Sequence, residues 1–192
     1  EIDWDSLTFS FTQTDRMYIA KCEIGGEWEK GVMKDYEDLV ISPAAGVLNY
    51  GQGLFEGLKA QRASDGSIVL FRPQQNARRA QEGARRLGMP PVPEEMFLDA
   101  VISAVRENSR WVPPMGKGAL YIRPLLMGSG PILGVAPAPE YTFLVFTSPV
   151  GPYFKGGITP TSLRVSDKFH RAAPGGSGGV KAIGNYAPGM IP

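Results

Sequence analysis

The chain has 192 residues, 43% of them hydrophobic, and its 20 Lys and Arg nearly balance its 19 Asp and Glu. This length fits one domain, or one domain and part of a second, with enough apolar residues for a core. A formal net charge of +1 and a single cysteine, Cys22, exclude a strongly basic surface for nucleic acid or anionic membranes and a framework of internal disulfides, and no apolar run has transmembrane length.

The first part of the chain is predicted to alternate strands and turns. A strand is predicted over residues 17–22, and residues 47–53 form either a short helix or a turn. Residues 54–60 are predicted as one strand that pairs with a second strand over residues 67–71, across a tight turn at Asp65-Gly66. An antiparallel hairpin is therefore expected in this region.

Two helices and further strands are predicted next. Pro73 suits the first turn of a helix whose small apolar residues recur at helical spacing. A second amphipathic helix is predicted from about residue 93 to 109. Strands are then predicted over residues 119–126, 141–146 and 162–165.

The order of these elements predicts the domain organisation. Strands with two helices give an α+β domain over residues 1–152. A segment rich in Pro and Gly then predicts an interdomain hinge over residues 153–161. Residues 162–192 are predicted to begin a second, β-rich domain that this chain does not complete.

A lysine, Lys181, follows a glycine-rich run at residues 175–179. Glycine permits close backbone approach, so this lysine can lie beside a flat ligand rather than in open water. An amine in such a place can act as a nucleophile toward carbonyls, and Tyr186 offers a phenol five residues later. The alternative is a surface loop with a solvated lysine. A Walker phosphate loop is excluded because neither Ser nor Thr follows the lysine.

The segment from Phe169 to Lys181, followed by Gly184-Asn185-Tyr186, resembles the cofactor-lysine segment of the branched-chain amino acid aminotransferases. These are pyridoxal-phosphate enzymes of fold type IV. The resemblance implies that Lys181 holds pyridoxal 5'-phosphate covalently and then carries the proton during transamination, and that Tyr186 bonds the cofactor's ring oxygen. No metal is implied, and His170, the only histidine, belongs to no cluster of metal ligands.

A second segment, from Phe71 to Arg79, resembles the strand-to-helix segment whose arginine holds the cofactor phosphate. A guanidinium suits this role because its planar fork matches phosphate oxygens. The position within the segment implies Arg79, whereas helical periodicity does not separate Arg79 from Arg78. The alternative is a solvated basic face of the helix.

Further segments resemble the walls of the family's substrate pocket. Residues 48–59 supply two aromatic side chains for the hydrophobic side-chain site, and residues 120–124 supply a Tyr and an Arg on one face of a strand. The resemblance implies that this arginine recognises the distal carboxylate of glutamate or 2-oxoglutarate and is oriented by the tyrosine. The implied pocket residues are Tyr50, Phe55, Tyr121, Arg123, Tyr153 and, from a loop that enters the neighbouring subunit's site, Leu133 and Val135. The alternatives are ordinary core aromatics and a surface strand with one arginine reaching water.

The resemblance covers residues 3–187 and implies a homodimer that transfers the amino group of Leu, Ile or Val to 2-oxoglutarate, with no nucleic-acid or membrane partner. Residues 128–141 look most like the plant members, which implies the chloroplast, with the mitochondrion or cytoplasm as alternatives. Two other hypotheses stay open. One is a different fold-type IV enzyme, such as a D-amino acid aminotransferase or an aminodeoxychorismate lyase, and the other is a non-catalytic fragment.

The chain departs from the family after Ala187, where members continue into the rest of a second domain. The family carboxylate that faces the pyridine nitrogen matches no residue here. The resemblance therefore implies a carboxy-terminally truncated member. We expect weak cofactor binding and little transaminase activity from the 192-residue chain.

Overall fold

A computed structural model describes residues 2–152 and 160–190. Its strands are β1 (Arg16–Glu23), β2 (Val32–Asp35), β3 (Gly53–Phe55), β4 (Leu58–Arg62), β5 (Ile68–Leu70), β6 (Ala119–Gly128) and β7 (Glu140–Val150). The helices are α1 (Gly46–Tyr50), α2 (Pro73–Arg86) and α3 (Glu94–Glu107), with short 3₁₀ turns at Ser109–Trp111, Ile183–Asn185 and Ala187–Gly189. Among the described residues, no helix is long and apolar enough to cross a membrane.

The described strands form one antiparallel sheet in the order β2-β1-β7-β6-β4-β5, and β3 pairs with β6 next to β4. Its centre is the long pair β6 and β7, whose register runs from Ala119 opposite Val150 to Gly128 opposite Tyr141. Alternation along β6 buries Leu120 and Ile122 fully, while Tyr121 between them is half-buried. The sheet thus has a covered face and a more open one.

The two long helices, which the helical spacing predicted, cover one face of the sheet. Buried residues of α2 include Ala77, Ala80 and Ala84, and Phe97 of α3 stacks on Phe143 of β7 with ring centroids 5.8 Å apart. Small residues on α2 bring its backbone close to the sheet. This closeness matters because α2 carries the candidate phosphate arginine.

The prediction of one strand over residues 54–60 is wrong, because the chain forms two strands there. Both β3 and β4 pair with β6 in the same register, but Glu56 and Gly57 between them leave the ladder. The residue of β6 at this point is Pro124, which has no backbone N–H to donate. Glu56 N–H still donates to the Pro124 carbonyl at 2.8 Å, so the chain keeps its course while the Glu56 side chain is directed into the protein.

The strand predicted over residues 162–165 is also wrong. These residues form no ladder within the described chain, and Leu163 and Val165 are more than nine-tenths exposed. Alternating apolar residues favour a strand, but a strand needs a partner, and the described residues provide none here.

Other boundaries differ less. Residues 47–53, predicted as a helix or a turn, contain the end of α1, which stops at Gly51 in a left-handed conformation with φ of 64°. The sequence reasoning missed β2 altogether. The last predicted strand of the first domain, over residues 141–146, is longer at both ends in β7. Most of the predicted hinge falls outside the described residues, so the division into two domains stays a prediction.

Candidate active site

The lysine segment lies along the free edge of β3. Leu54 of β3 forms a β-bridge with Ala182, and the Phe55 N–H donates to the Lys181 carbonyl at 3.2 Å. Gly53 makes room for this contact, since a Cβ there would lie 2.5 Å from Ile183 Cδ1. The backbone of Lys181 is therefore anchored to the first part of the chain by an extension of the sheet.

A buried asparagine closes the turn that carries the lysine. Asn185 Nδ2 donates to the carbonyls of Ser177 and Val180 at 2.8 and 2.9 Å, and its Oδ1 accepts from Ser177 Oγ at 2.7 Å. These bonds join the two sides of the segment around Lys181. The glycine-rich run before it is held by Arg86 of α2, which donates to the Gly175 carbonyl at 2.9 Å.

Lys181 and Tyr186 meet over an aromatic ring. Lys181 Nζ donates to Tyr186 Oη at 2.9 Å and lies 4.3 Å from the centroid of the Phe55 ring, which in turn lies 4.8 Å from the Tyr186 ring. A cation over an aromatic face is attracted by the ring quadrupole. The structure thus brings together a primary amine, a phenol and an apolar platform, three of the groups that the sequence singled out.

The two neighbouring arginines of α2 have different surroundings. Arg79 pairs with Glu56 through two bonds, Nε to Oε1 at 2.7 Å and Nη2 to Oε2 at 2.6 Å, whereas Arg78 pairs with Glu94 at 3.2 Å. The hydrogen bonds with Glu56 are the main cause of a raised pKa at Arg79. Arg79 is therefore the arginine of α2 that is joined to Glu56, the residue next to Phe55 in the chain.

The predicted tyrosine and arginine of β6 also form a pair. Arg123 Nη2 donates to Tyr121 Oη at 3.1 Å, and the guanidinium carbon lies 4.5 Å from the centroid of the Phe55 ring. Within the described residues, the buried Nε of Arg123 has no hydrogen-bond partner. A cavity of about 370 Å³ opens beside this pair, lined in part by Phe9, Phe11 and Phe146. A guanidinium that lines an open cavity suits an anionic ligand.

The other predicted pocket residues lie apart from this cluster. Tyr50, at the end of α1, is 41% exposed and bonds the Leu133 carbonyl. Leu133 and Val135 are almost fully exposed, at 89% and 88%. Tyr153 falls outside the described residues. The described chain thus brings Lys181, Tyr186, Phe55 and Arg123 together, with Arg79 adjacent, and separates Tyr50 and the 133–135 loop from them.

Sequence reasoning missed three polar residues of this site, namely Glu56, Asn76 and Asn185. Glu56 is fully buried, and besides Arg79 it accepts from Asn76 Nδ2 at 2.8 Å. One signal was available for it, since an acidic residue in the apolar run Leu54-Phe55-Glu56-Gly57-Leu58 needs a partner if the run is buried. No comparable local signal marks the two asparagines.

Comparison with known proteins gives close relatives. The chain is 60% identical over 187 residues to the chloroplastic branched-chain-amino-acid aminotransferase 5 of Arabidopsis thaliana, and this match covers 97% of the chain and 45% of the relative. A chloroplastic branched-chain amino acid aminotransferase 2 of Humulus lupulus is 59% identical over 97% of the chain and 46% of the relative. A methionine aminotransferase of Arabidopsis thaliana is 51% identical over the whole chain and 54% of the relative. The chain spans about half the length of these relatives.

Solved structures share the fold. A branched-chain amino acid aminotransferase of Escherichia coli superposes with a TM-score of 0.62 at 21% identity, over 91% of this chain and 53% of that one. A branched-chain aminotransferase of Thermoproteus uzoniensis with norvaline gives a TM-score of 0.59 at 25% identity, over 74% and 43%. No protein-family model matches the chain. Over nearly all of its length the chain is similar to branched-chain amino acid aminotransferases in sequence, and it has the α+β fold of their solved structures.

Proposed function

We propose that the chain provides the pyridoxal-phosphate lysine and much of the substrate pocket of a branched-chain amino acid aminotransferase. The observation that carries this proposal is the placement of Lys181 Nζ against Tyr186 Oη and the Phe55 ring. The reaction moves the amino group of Leu, Ile or Val to 2-oxoglutarate. Its substrates are accordingly small amino acids and 2-oxo acids.

The residues present fit pyridoxal phosphate. The aldehyde requires a primary amine, which Lys181 supplies, and the ring oxygen requires a donor, which Tyr186 supplies. The phosphate requires a guanidinium with free N–H groups, and within the described residues Arg79 Nη1 makes no hydrogen bond. Amine and phenol are held against Phe55 of β3, and the guanidinium is held by Glu56, the next residue in the chain.

When bound, the cofactor supplies the electron sink, and the protein supplies orientation and proton transfer. Lys181 Nζ takes the proton that leaves the Cα of the amino acid and later returns it. The Tyr186 hydroxyl holds this amine in place between proton transfers. Phe55 excludes water from one side of the amine, which protects a proton in transit from exchange.

The substrate pocket must accept a branched apolar side chain in one half of the reaction and a carboxylate in the other. Phe55 and Tyr121 offer aromatic surface for the first, and the guanidinium of Arg123, which lines the cavity, offers a charged hydrogen bond to the second. The Tyr121 hydroxyl bonds the same guanidinium and orients it. Aromatic surface and a guanidinium side by side therefore suit both substrates.

One relative favours a second substrate. The methionine aminotransferase of Arabidopsis thaliana is 51% identical to this chain, and an unbranched thioether side chain also fits an aromatic wall. Comparing turnover of leucine, valine and methionine decides between the two. Rates for D-alanine test the alternative of another fold-type IV enzyme.

The assembly and the compartment are part of the same proposal. Exposed Leu133 and Val135 suit contact with a second copy, since exposed apolar loop residues commonly mark interfaces. The relatives described as chloroplastic support the chloroplast, and a mitochondrial relative from Humulus lupulus keeps the mitochondrion as an alternative.

Covalent capture tests the proposed cofactor lysine. The chain is incubated with pyridoxal phosphate and reduced with borohydride, and the modified lysine is identified by peptide mass spectrometry. We expect the label on Lys181 and its loss in Lys181→Ala. Lys168→Ala is the control, because Lys168 also lies near an aromatic ring, Phe169, in the same part of the chain. Equal labelling of Lys181→Ala and the unaltered chain would refute the proposal.

A further inference from the structure

The gap between β3 and β4 contains a fully buried carboxylate. Glu56 is 0% exposed and lies where the chain leaves the ladder opposite Pro124. Its two carboxylate oxygens accept from Arg79 at 2.7 and 2.6 Å, and Asn76 Nδ2 adds a bond at 2.8 Å. The Gly57 N–H donates to Oε2 as well, at 3.4 Å. Burying a carboxylate is costly unless it is paired and hydrogen-bonded, and here four donors satisfy that need.

The pair is asymmetric in its exposure. The Glu56 side chain is 1% exposed, whereas the Arg79 side chain is 52% exposed. A buried side chain that is packed on every side cannot rotate, so the Glu56 carboxylate has a fixed position. The more exposed Arg79 guanidinium is held in place by its bonds to that carboxylate. The same helix offers a contrast, because Arg78 pairs through Nε with Glu94 at 3.2 Å and both side chains are partly exposed.

The geometry of the bonds decides which donors of Arg79 stay free. A guanidinium has two edges that can each bind an oxyanion with two parallel bonds, one made of Nε and Nη2 and the other of Nη1 and Nη2. Glu56 occupies the first edge. Within the described residues the second edge has no partner, so it stays available for an anion.

We infer that Glu56 is a positioning residue that holds the guanidinium of Arg79 with its Nη1–Nη2 edge directed to the cofactor phosphate. This inference rests on the proposed function, because it needs pyridoxal phosphate to be the ligand. It assigns a role in cofactor binding to an acidic residue, although a carboxylate near a phosphate would ordinarily weaken binding by repulsion. The gain is that an otherwise mobile arginine, with several rotatable bonds, is fixed before the phosphate arrives.

The test compares two aldehydes that differ only in the phosphate. The chain is titrated with pyridoxal phosphate and with pyridoxal, and capture on Lys181 after borohydride reduction is quantified for each. Glu56→Gln keeps the size of the side chain but offers Arg79 only one acceptor oxygen. We expect it to lower the preference for pyridoxal phosphate over pyridoxal about tenfold, the loss typical of one charged hydrogen bond, while capture of pyridoxal stays unchanged.

Two controls separate positioning from general damage. Glu94→Gln makes the same charge change beside Arg78 and is expected to leave the preference as it was. In an Arg79→Ala background, Glu56→Gln should have no further effect on the preference, since a residue that acts through Arg79 has nothing left to position. Thermal unfolding of each variant, with no aldehyde present, measures the stability lost.

The outcomes distinguish this inference from the proposed function. Capture on Lys181 with a preference that Glu56→Gln leaves intact or increases would overturn the positioning role and leave the proposed function standing. Equal losses with both aldehydes, or additive effects of Glu56→Gln and Arg79→Ala, would overturn the positioning role in the same way. Capture that is absent from Lys181 would overturn the proposed function and this inference with it.

Discussion

At the scale of single residues, the ring of Phe55 lies close to both charged groups of the candidate site. Lys181 Nζ lies 4.3 Å and the Arg123 guanidinium carbon 4.5 Å from the centroid of its ring. The ring keeps both cations near the same apolar surface without offering either a counter-charge. Both cations therefore remain available to a ligand that brings its own carbonyl or carboxylate.

The Arg123 pair gives a prediction about substrate choice. Arg123→Ala should slow the half-reaction with 2-oxoglutarate by at least about tenfold, because the distal carboxylate loses a charged partner in a partly buried pocket. The half-reaction with the 2-oxo acid of leucine should change much less, since it has no distal carboxylate. Both are followed by the absorbance of the bound cofactor in single-turnover experiments on the chain extended with a second domain of the family, because the 192 residues alone are expected to show little activity.

Lys59→Ala is the matched control for Arg123, because Lys59 is an exposed cation directly opposite Tyr121 in the neighbouring strand. It should leave both half-reactions unaltered. If Arg123→Ala slows both half-reactions to the same extent, the guanidinium supports the pocket rather than recognising a carboxylate.

Gly57 illustrates that a segment can be recognised from the sequence although the structural need for one of its residues is not visible there. A Cβ at Gly57 would lie 2.2 Å from Tyr121 Oη, and that hydroxyl bonds Arg123. The segment of residues 48–59, which contains Gly57, was recognised from the sequence, but the space that Gly57 leaves for Tyr121 is a contact between residues far apart in the chain. Likewise, periodicity could not choose between Arg78 and Arg79, and the buried Glu56 distinguishes them.

At the scale of elements, the site depends on a chain segment that has little regular structure of its own. Residues 177–186 are held by one β-bridge to Leu54, by the Phe55 N–H, and by the Asn185 side chain. The 3₁₀ turn Ile183–Asn185 lies against β3. An irregular segment of this kind opens more easily than a strand or a long helix, because fewer backbone hydrogen bonds must break.

Asn185→Ala should therefore loosen the lysine segment. Removing the side chain leaves the Val180 carbonyl without a donor and the Ser177 carbonyl with the Val180 N–H as its remaining donor, a loss of about 1–3 kcal/mol. Backbone amide hydrogen exchange across residues 177–186 should become roughly tenfold faster or more. Capture of pyridoxal phosphate on Lys181 should weaken with it.

Asn49→Ala serves as the comparison, because Asn49 also bonds two backbone carbonyls, those of Pro43 and Ala45, but at the exposed end of α1. It should leave exchange in residues 177–186 unaltered. Unchanged exchange in Asn185→Ala would mean that the β-bridge and the glycine-rich run suffice to hold the lysine.

On the scale of the whole molecule, the exposed loop that carries Leu133 and Val135 predicts a homodimer. Its two apolar side chains are nearly nine-tenths exposed, and the Tyr50 hydroxyl bonds the loop backbone. Replacing both residues by Asp should shift the protein from dimer to monomer in analytical ultracentrifugation, since a charge buried at an interface is costly. A concentration series distinguishes weakened association from aggregation.

Val69→Asp is the control for this experiment, because Val69 is an exposed apolar residue of the edge strand β5. It should leave the dimer intact. A protein that is monomeric before any substitution, with full transaminase activity, would contradict the predicted assembly. As the sequence analysis predicts, the 192-residue chain by itself should show little or no transaminase turnover.

The sequence by itself determined the types of most elements, the buried faces of α2 and α3, the glycine-rich lysine segment and the aromatic and basic residues that suit a phosphorylated cofactor. These features are local, because hydrophobic periodicity, turn residues and motifs are all contained within a few neighbouring residues. The resemblance to the aminotransferase family rested on the same short segments, and the 51–60% identical relatives confirm it.

Only the tertiary structure decided where the ladder breaks at Glu56, that residues 162–165 lack a partner strand within the described chain, which arginine of α2 pairs with Glu56, and how Lys181 is fixed to β3. Each of these depends on groups far apart in sequence. Pro124 removes a donor opposite Glu56, and Arg79 supplies the charge that lets its carboxylate be buried. A local pattern shows what a residue can do, but the free energy of burying a charge or pairing a strand depends on the partner that folding brings to it.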